Sequence, residues 1–508
     1  MQLSKHTLEK IDSRTIDAPS ADYFNLPEKV LQFGTGVLLR GLPDYYIDKA
    51  NKQKIFNGRI VIVKSTESGS TEAFAKQDNL YTLIVRGIDS GKAIEENIVN
   101  ASISRVLSAR NDWHKILKCA ANSELQVIIS NTTEVGIQLV KDNVHASPPE
   151  SFPGKLVAFL YQRYKIFNGD VNKGFVVIPT ELIINNGSKL LAIVLELAHQ
   201  NGLEYSFLDW LENANDFCNS LVDRIVPGNL NPLNQKDIER TSGYTDELMT
   251  MAEAYNLWAI ETSNEKTKEI LSFSKADSGV VVVPDISVFM ELKLRLLNGV
   301  HTLSCGLAHL AGFTTVKEAM SNSIFSKYIS DLMYEEVAPA IVGDNISIEE
   351  ASVFASKVLD RFRNPYMEHQ WLSITVQYTS KMAMRNVYTI KKYAERFKVF
   401  PSNMALGFAG YLLFTKPVEA IDGKYYGFIN KKKYLINDDK APYYYDLWQS
   451  NHVDDVVIKS LSDETLWSDD LSAIDGFADA VENYLMQLMN DGVTNTIEQF
   501  IVQLKKNA

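Results

Sequence analysis

The apolar positions of this chain follow two regimes. From about residue 28 to 285, short β-prone runs alternate with stretches of helical period. Lys29-Val-Leu-Gln-Phe33, Arg59-Ile-Val-Ile-Val-Lys-Ser65, Gln126-Val-Ile-Ile-Ser130 and Gly174-Phe-Val-Val-Ile-Pro179 are nearly continuous apolar runs. Strands buried on both faces of a parallel sheet read this way, with helices between them to cover the sheet. The character changes at Val280-Val-Val-Val-Pro284-Asp285. Beyond it, helical periodicity predicts helices over 286–312, 314–335, 347–362, 366–396, 402–414 and 471–505. The exception is Gly423 to Asn437, which reads as a surface hairpin with Lys431, Lys432 and Lys433 in a solvated turn. Residues up to about 25 are polar and predict a strap or tail. The expected fold class is therefore α/β. A Rossmann-like doubly wound sheet (1–285) precedes a mostly α-helical domain (286–508).

Composition narrows the function. A chain of 508 residues is too long for one core, so two or more domains are expected. Hydrophobic residues at 45% and charged residues at 22% are ordinary globular values. The net charge of -12 argues against nucleic acid or an anionic membrane surface as partner. Cys119, Cys218 and Cys305 are few, odd in number and scattered, which predicts neither a disulfide framework nor a metal site. Met1-Gln-Leu-Ser-Lys-His opens a polar segment, and no apolar run reaches roughly 18 residues, so a cytoplasmic protein is expected.

Two clusters carry candidate chemistry. The first is Lys29-Val-Leu-Gln-Phe-Gly34-Thr-Gly36-Val-Leu-Leu-Arg40-Gly41, a strand ending in Gly-x-Gly and opening into a helix. The first glycine suits a tight turn, and the second lets backbone approach a pyrophosphate. The usual third glycine is replaced by Leu39. Phe33, Gly34, Thr35, Gly36, Val37, Leu38 and Arg40 are the candidate cofactor contacts here, with Thr132 and Glu134 after the 126–130 strand. Glu67, two residues beyond the second strand, could hold a ribose 2′-hydroxyl, whereas Lys64 and Ser65 could accept a 2′-phosphate.

The second cluster is Lys293-Leu-Arg-Leu-Leu-Asn298-Gly-Val-His301, inside the helical pattern Phe289 to Leu310. At about 100° per residue, His301 lies about 80° and Asn298 about 140° from Lys293, whereas Arg295 at about 200° falls outside that arc. The axial spread is about 12 Å, which a lysine arm bridges in large part. An amine, an amide and an imidazole on one face could polarise a carbonyl and exchange its proton. A solvated stripe is the ordinary alternative; the apolar surroundings count against it.

Lys-x4-Asn-x2-His on the first helix of a C-terminal helical domain resembles the polyol-specific long-chain dehydrogenases, the mannitol dehydrogenase family. Phe217-Cys-Asn-Ser-Leu-Val222-Asp223-Arg224-Ile225-Val-Pro227, Gln77-Asp-Asn-Leu-Tyr81-Thr-Leu and Arg361-Phe-Arg-Asn364-Pro365 are similar to further segments of that family. The resemblance spans roughly residues 28 to 400. Ser130-Asn-Thr-Thr-Glu134, Pro179-Thr-Glu181-Leu-Ile, Asn364-Pro-Tyr-Met-Glu-His369-Gln-Trp and Tyr434-Leu-Ile-Asn-Asp438-Asp439 look most like members that reduce a keto-uronate to an aldonate in hexuronate catabolism.

The resemblance implies an NAD(H)-dependent oxidoreductase, with NADP(H) left open by the local chemistry. It implies Lys293 as acid and base, Asn298 as oxyanion donor, and His301 as a partner of the reacting hydroxyl. A sugar-acid substrate needs a cationic clamp, for which Arg361, Lys381 and Arg385 are candidates, with His369 as a further substrate contact. Two departures count against a plain polyol. Leu182 stands where the family has an asparagine, and Met290 where it has a glutamate, with Glu291 one position later. The same chemistry on fructuronate or mannitol stays open, as does a non-catalytic dinucleotide sensor.

Overall fold

A computed structural model describes the chain except residues 13, 66–70, 133–134, 229, 430–431 and 508, and the side chains of 504–507. It divides into two compact units, Met1–Gly87 with Ala93–Ile286, and Ile88–Lys92 with Ser287–Ala508.

Six strands form the main sheet of the first unit: β1 (Glu28–Phe33), β2 (Arg59–Lys64), β3 (Ile103–Ser108), β4 (Val127–Ser130), β5 (Val176–Pro179) and β6 (Asp216–Phe217). They are parallel and run β3-β2-β1-β4-β5-β6 across the sheet. The order reverses between β1 and β4, the switch point at whose carboxyl ends doubly wound sheets bind ligands. Successive residues of a strand turn to opposite faces. Val30, Ile60, Ile62, Val127, Ile129 and Ile178 enter one core, whereas Leu31, Val61, Val63, Ile128 and Val177 enter the other. Both faces are covered, which is why the strands read as nearly continuous apolar runs.

Periodicity did not show everything in this unit. Tyr81–Asp89 and Lys92–Asn100 are inserted before β3 and join Thr250–Glu253 in a second sheet. Ser220–Asp223, Leu257–Glu261 and Val280–Val283 form a third. The polar N-terminal segment is a strap: Leu3, Ile16 and Tyr23 are buried with Leu80, Val99 and Tyr244.

The second unit is largely helical. Its first helix runs from Ser287 to Leu310, but Lys293–Gly299 within it is a π-turn. Ser402–Phe414 is apolar all round and correspondingly buried. It crosses Val300–Leu310 closely because glycines meet there: a Cβ on Gly306 would lie 2.9 Å from the Gly410 carbonyl oxygen.

Several expected boundaries are corrected. The 366–396 helix is replaced by Trp371–Ile374 and a helix from Tyr378 to Phe397, itself containing a π-turn at Ala383–Val387. The 471–505 helix is two helices, Phe477–Asp491 and Val493–Asn507, parted at Gly492, whose φ is +78°. Ala441–Ser450 and Val453–Leu461 are helices where none was expected. The 423–437 hairpin is present and gains a third strand, Glu419–Ile421, with Lys432 and Lys433 inside a strand rather than in the turn. Lys431 lies outside the described residues.

Candidate active site

The Gly-x-Gly segment leaves the carboxyl end of β1 in a tight turn. Gly34 has φ +128°, and a Cβ there would lie 2.8 Å from the Asn131 carbonyl oxygen. Gly36 differs: a Cβ on it would meet nothing within 4 Å, so its backbone borders open space. The helix that follows is short, Val37–Gly41, and a second helix, Pro43–Lys52, begins after Leu42. The first N–H groups of a helix lack intrahelical acceptors, and those of Val37 and Leu38 are in that class.

Two side chains expected at this turn are directed into the fold. The Arg40 guanidinium points inward, donates to the Leu248 carbonyl and lies over the Phe74 and Tyr81 rings, so it is engaged within the fold. The Phe33 ring is in the core against Phe152, centroids 5.1 Å apart, leaving only its backbone at the strand end.

Thr132, just after β4, is pinned by a carboxylate that was not among the expected cofactor contacts. Buried Glu181, just past β5, accepts from the Thr132 N–H at 2.9 Å, the Thr132 hydroxyl at 3.0 Å and the Ser130 hydroxyl at 3.1 Å. Burial raises its pKa, and these donors oppose the rise. Glu67 and Glu134 lie outside the described residues. Lys64 is buried at the end of β2.

In the second unit the π-turn changes the helical arithmetic behind the Lys293 arc. Its hydrogen bonds span five residues, so each residue advances less than 100°. Lys293 and Asn298 are half-buried within the turn and His301 is buried just after it. Arg295 is directed elsewhere. It pairs with Glu291 at 3.0 Å and donates to the Met384 and Arg385 carbonyls. Glu291, adjacent to the family's glutamate position, is thereby engaged with Arg295. Leu182, at the family's asparagine position, is an exposed side chain with no polar group to offer.

Around His301 the structure gathers the expected substrate contacts. The His301 imidazole stacks on Phe362, with centroids 4.0 Å apart and planes 15° apart. His369 stands edge-on at 5.1 Å and Trp371 at 5.9 Å. Burial, then His369, Arg361 and Arg385, push the His301 pKa well below the usual imidazole range, so the ring is neutral. Its Nε2 has no hydrogen-bond partner among the described residues. His369 is lowered by burial, then by Arg361 and Lys381. Lys381, lowered by burial and then by Arg385, donates to the Ile374 carbonyl at 2.9 Å. Arg385 donates to the Thr302 hydroxyl at 3.0 Å, which itself donates to the Asn298 carbonyl at 2.8 Å. Basic groups that depress one another in this way form a site that an anion would relieve.

Residues 28–272 match the mannitol dehydrogenase Rossmann domain and residues 285–489 the mannitol dehydrogenase C-terminal domain. The chain belongs to the mannitol dehydrogenase family. Among relatives, it is 37% identical to altronate oxidoreductase of Bacillus subtilis, over 98% of this chain and 99% of that one. Identity to the altronate oxidoreductase of Shigella flexneri is 33%, over 95% and 98%. A solved D-sorbitol dehydrogenase in substrate-free form shares the fold with a TM-score of 0.78, at 23% identity over 98% of this chain and all of that one. So does Pseudomonas fluorescens mannitol 2-dehydrogenase, solved with NAD and D-mannitol, with a TM-score of 0.67 at 22% identity over 99% of each chain.

Three features of this family member had no role assigned from the chain. Phe362 and Trp371, which pack against His301, lie inside segments that resemble the family but were not named as site residues. Thr302 is one residue from His301 but carries no motif signal. Arg224, inside the segment that resembles the family, holds the Gly41 carbonyl at 2.7 Å and the Glu253 carbonyl at 3.0 Å, over the Tyr45 ring. Only the resemblance singled that arginine out. Among the described residues no group of three His, Cys, Asp or Glu is placed to hold a metal, and no helix is long and apolar enough to cross a membrane.

Proposed function

We propose that this chain is an altronate oxidoreductase, reducing D-tagaturonate to D-altronate reversibly with NADH. The observation that carries this reading is the basic cluster of Arg361, His369, Lys381 and Arg385 around neutral His301, on the helix that bears Lys293 and Asn298. It supplies a seat for a carboxylate beside groups suited to a carbonyl. Curated relatives of that name, alike over nearly the whole chain, support the same reading.

The nicotinamide, when bound, supplies hydride transfer. Its fit rests on Gly36, whose missing Cβ leaves the turn open, and on the Thr132 backbone held by Glu181. Lys64, buried at the end of β2, offers a 2′-phosphate little exposed positive charge, which favours NADH. In the reductive direction Asn298 donates its amide N–H to the carbonyl oxygen as negative charge gathers there. The Lys293 ammonium delivers the proton to that oxygen; in reverse its amine accepts the proton of the carbinol. Neutral His301 presents Nε2 to the reacting hydroxyl or its neighbour. Arg385 and Arg361 hold the carboxylate through charge-assisted pairs, with Lys381 as a point charge beside them.

The test is a substrate panel. Tagaturonate with NADH should give the highest kcat/KM, above fructuronate, fructose and any reaction with NADPH. Preference for fructuronate or fructose would move the chain to a sister activity. Absence of turnover with every ketone would favour a dinucleotide sensor.

A further inference from the structure

The helix Ser287–Leu310 and the helix Tyr378–Phe397 each contain a π-turn, Lys293–Gly299 and Ala383–Val387. A π-turn carries one residue more than an α-turn and leaves backbone carbonyls without an α-helical donor. Here each turn supplies side chains to the other. Arg295 Nη1 donates to the carbonyls of Met384 at 2.8 Å and Arg385 at 2.9 Å. Asn386 Nδ2 returns a bond to the Gly299 carbonyl at 3.0 Å. Gly299 permits the approach, since a Cβ there would lie 3.1 Å from Asn386 Nδ2. Glu291 orients the guanidinium through Nε, and the Tyr388 ring lies 4.8 Å from its centre. Arg295 is 7% exposed, so its guanidinium is largely withdrawn from water.

We propose that Arg295 is a positioning residue for the reduction: it clamps the turn carrying Lys293 and Asn298 against the turn carrying Arg385. This rests on the reading above, in which the first pair handles the carbonyl and Arg385 the carboxylate. The distance between the ends of a sugar acid is fixed by its carbon chain, so the two groups must be held in register. A displacement of about 1 Å in such a constellation can cost about a hundredfold in rate. Asn386 completes the clamp from the other side.

The test uses the full chain with Arg295→Met, Arg295→Lys, Asn386→Leu and the Arg295→Met/Asn386→Leu double variant, with rates expressed per folded molecule. Arg295→Met should lower kcat at least tenfold and raise KM for the keto acid, leaving KM for NADH unchanged. Arg295→Lys should recover part of the loss. The double variant should be little worse than either single one, because both remove one clamp. Amides of 294–299 and 384–387 should lose hydrogen-exchange protection together in Arg295→Met. Unchanged kcat per folded molecule, or losses that simply add, would overturn the proposal. If the wild type reduces no keto acid, the functional reading fails and the exchange data judge the clamp: loss of protection confined to one turn overturns it, and joint loss supports it.

Discussion

At the scale of single residues, in the proposed reading, the site separates groups that act from groups that orient. Replacing Lys293 with Ala should lower kcat by about two to four orders of magnitude, the usual contribution of a positioned acid or base. Nicotinamide absorbance reads this directly, and a variant that kept most of its rate would remove lysine from the chemistry. Arg385→Ala should act on binding instead. Losing a charge-assisted pair costs about 1.5–3 kcal/mol, so KM for the sugar acid should rise about tenfold to a hundredfold. An uncharged ketose should show little of this penalty. His301 adds a pH signature. An unfolded histidine titrates near about 6.5, and burial beside basic groups holds the folded value lower. The unfolded chain therefore binds more protons as pH falls below that value. The stability contributed by neutral His301 is full above it and lost on acidification. Tm should fall more steeply from pH 7 to 5.5 in the wild type than in His301→Gln; equal slopes would show a freely titrating ring.

At the scale of elements, the two glycines of the β1 turn make different demands. Gly34→Ala places a side chain at φ +128° against the Asn131 carbonyl and should destabilise the fold by about 1–3 kcal/mol. Gly36→Ala meets no protein atom, so it should leave Tm nearly unchanged while raising KM for NADH. Thermal denaturation beside cofactor kinetics distinguishes the two. Strands β1, β2, β4 and β5 were legible because both faces are buried and their central positions are mostly apolar. Strand Lys92–Asn100 was missed because Lys92-Ala-Ile-Glu-Glu-Asn mixes polar and apolar residues without period. Helix Ala441–Ser450 escaped for a related reason: its tyrosine-rich sequence has no clear apolar stripe. The π-turns could not be read at all, since an apolar repeat marks a helix without reporting how its carbonyls are paired.

At the scale of the whole molecule, the two family domains, 28–272 and 285–489, divide the labour between cofactor and substrate in the proposed reading. A cofactor that binds only the folded chain stabilises it by about 2.7 kcal/mol at a hundred times its Kd. NADH should therefore raise Tm more than an equal concentration of NADPH, and the reverse order would overturn the cofactor preference. The sequence alone determined the alternation of strands and helices, the Gly-x-Gly turn and the spacing of Lys293, Asn298 and His301, because each depends on near neighbours in the chain. Tertiary structure alone turned Arg40 and Arg295 inward, set Glu181 under Thr132, and brought Arg385 to a hydroxyl 83 residues away. The reason is that a long cation takes its direction from whichever carbonyls and rings folding places within reach, and no local period encodes those.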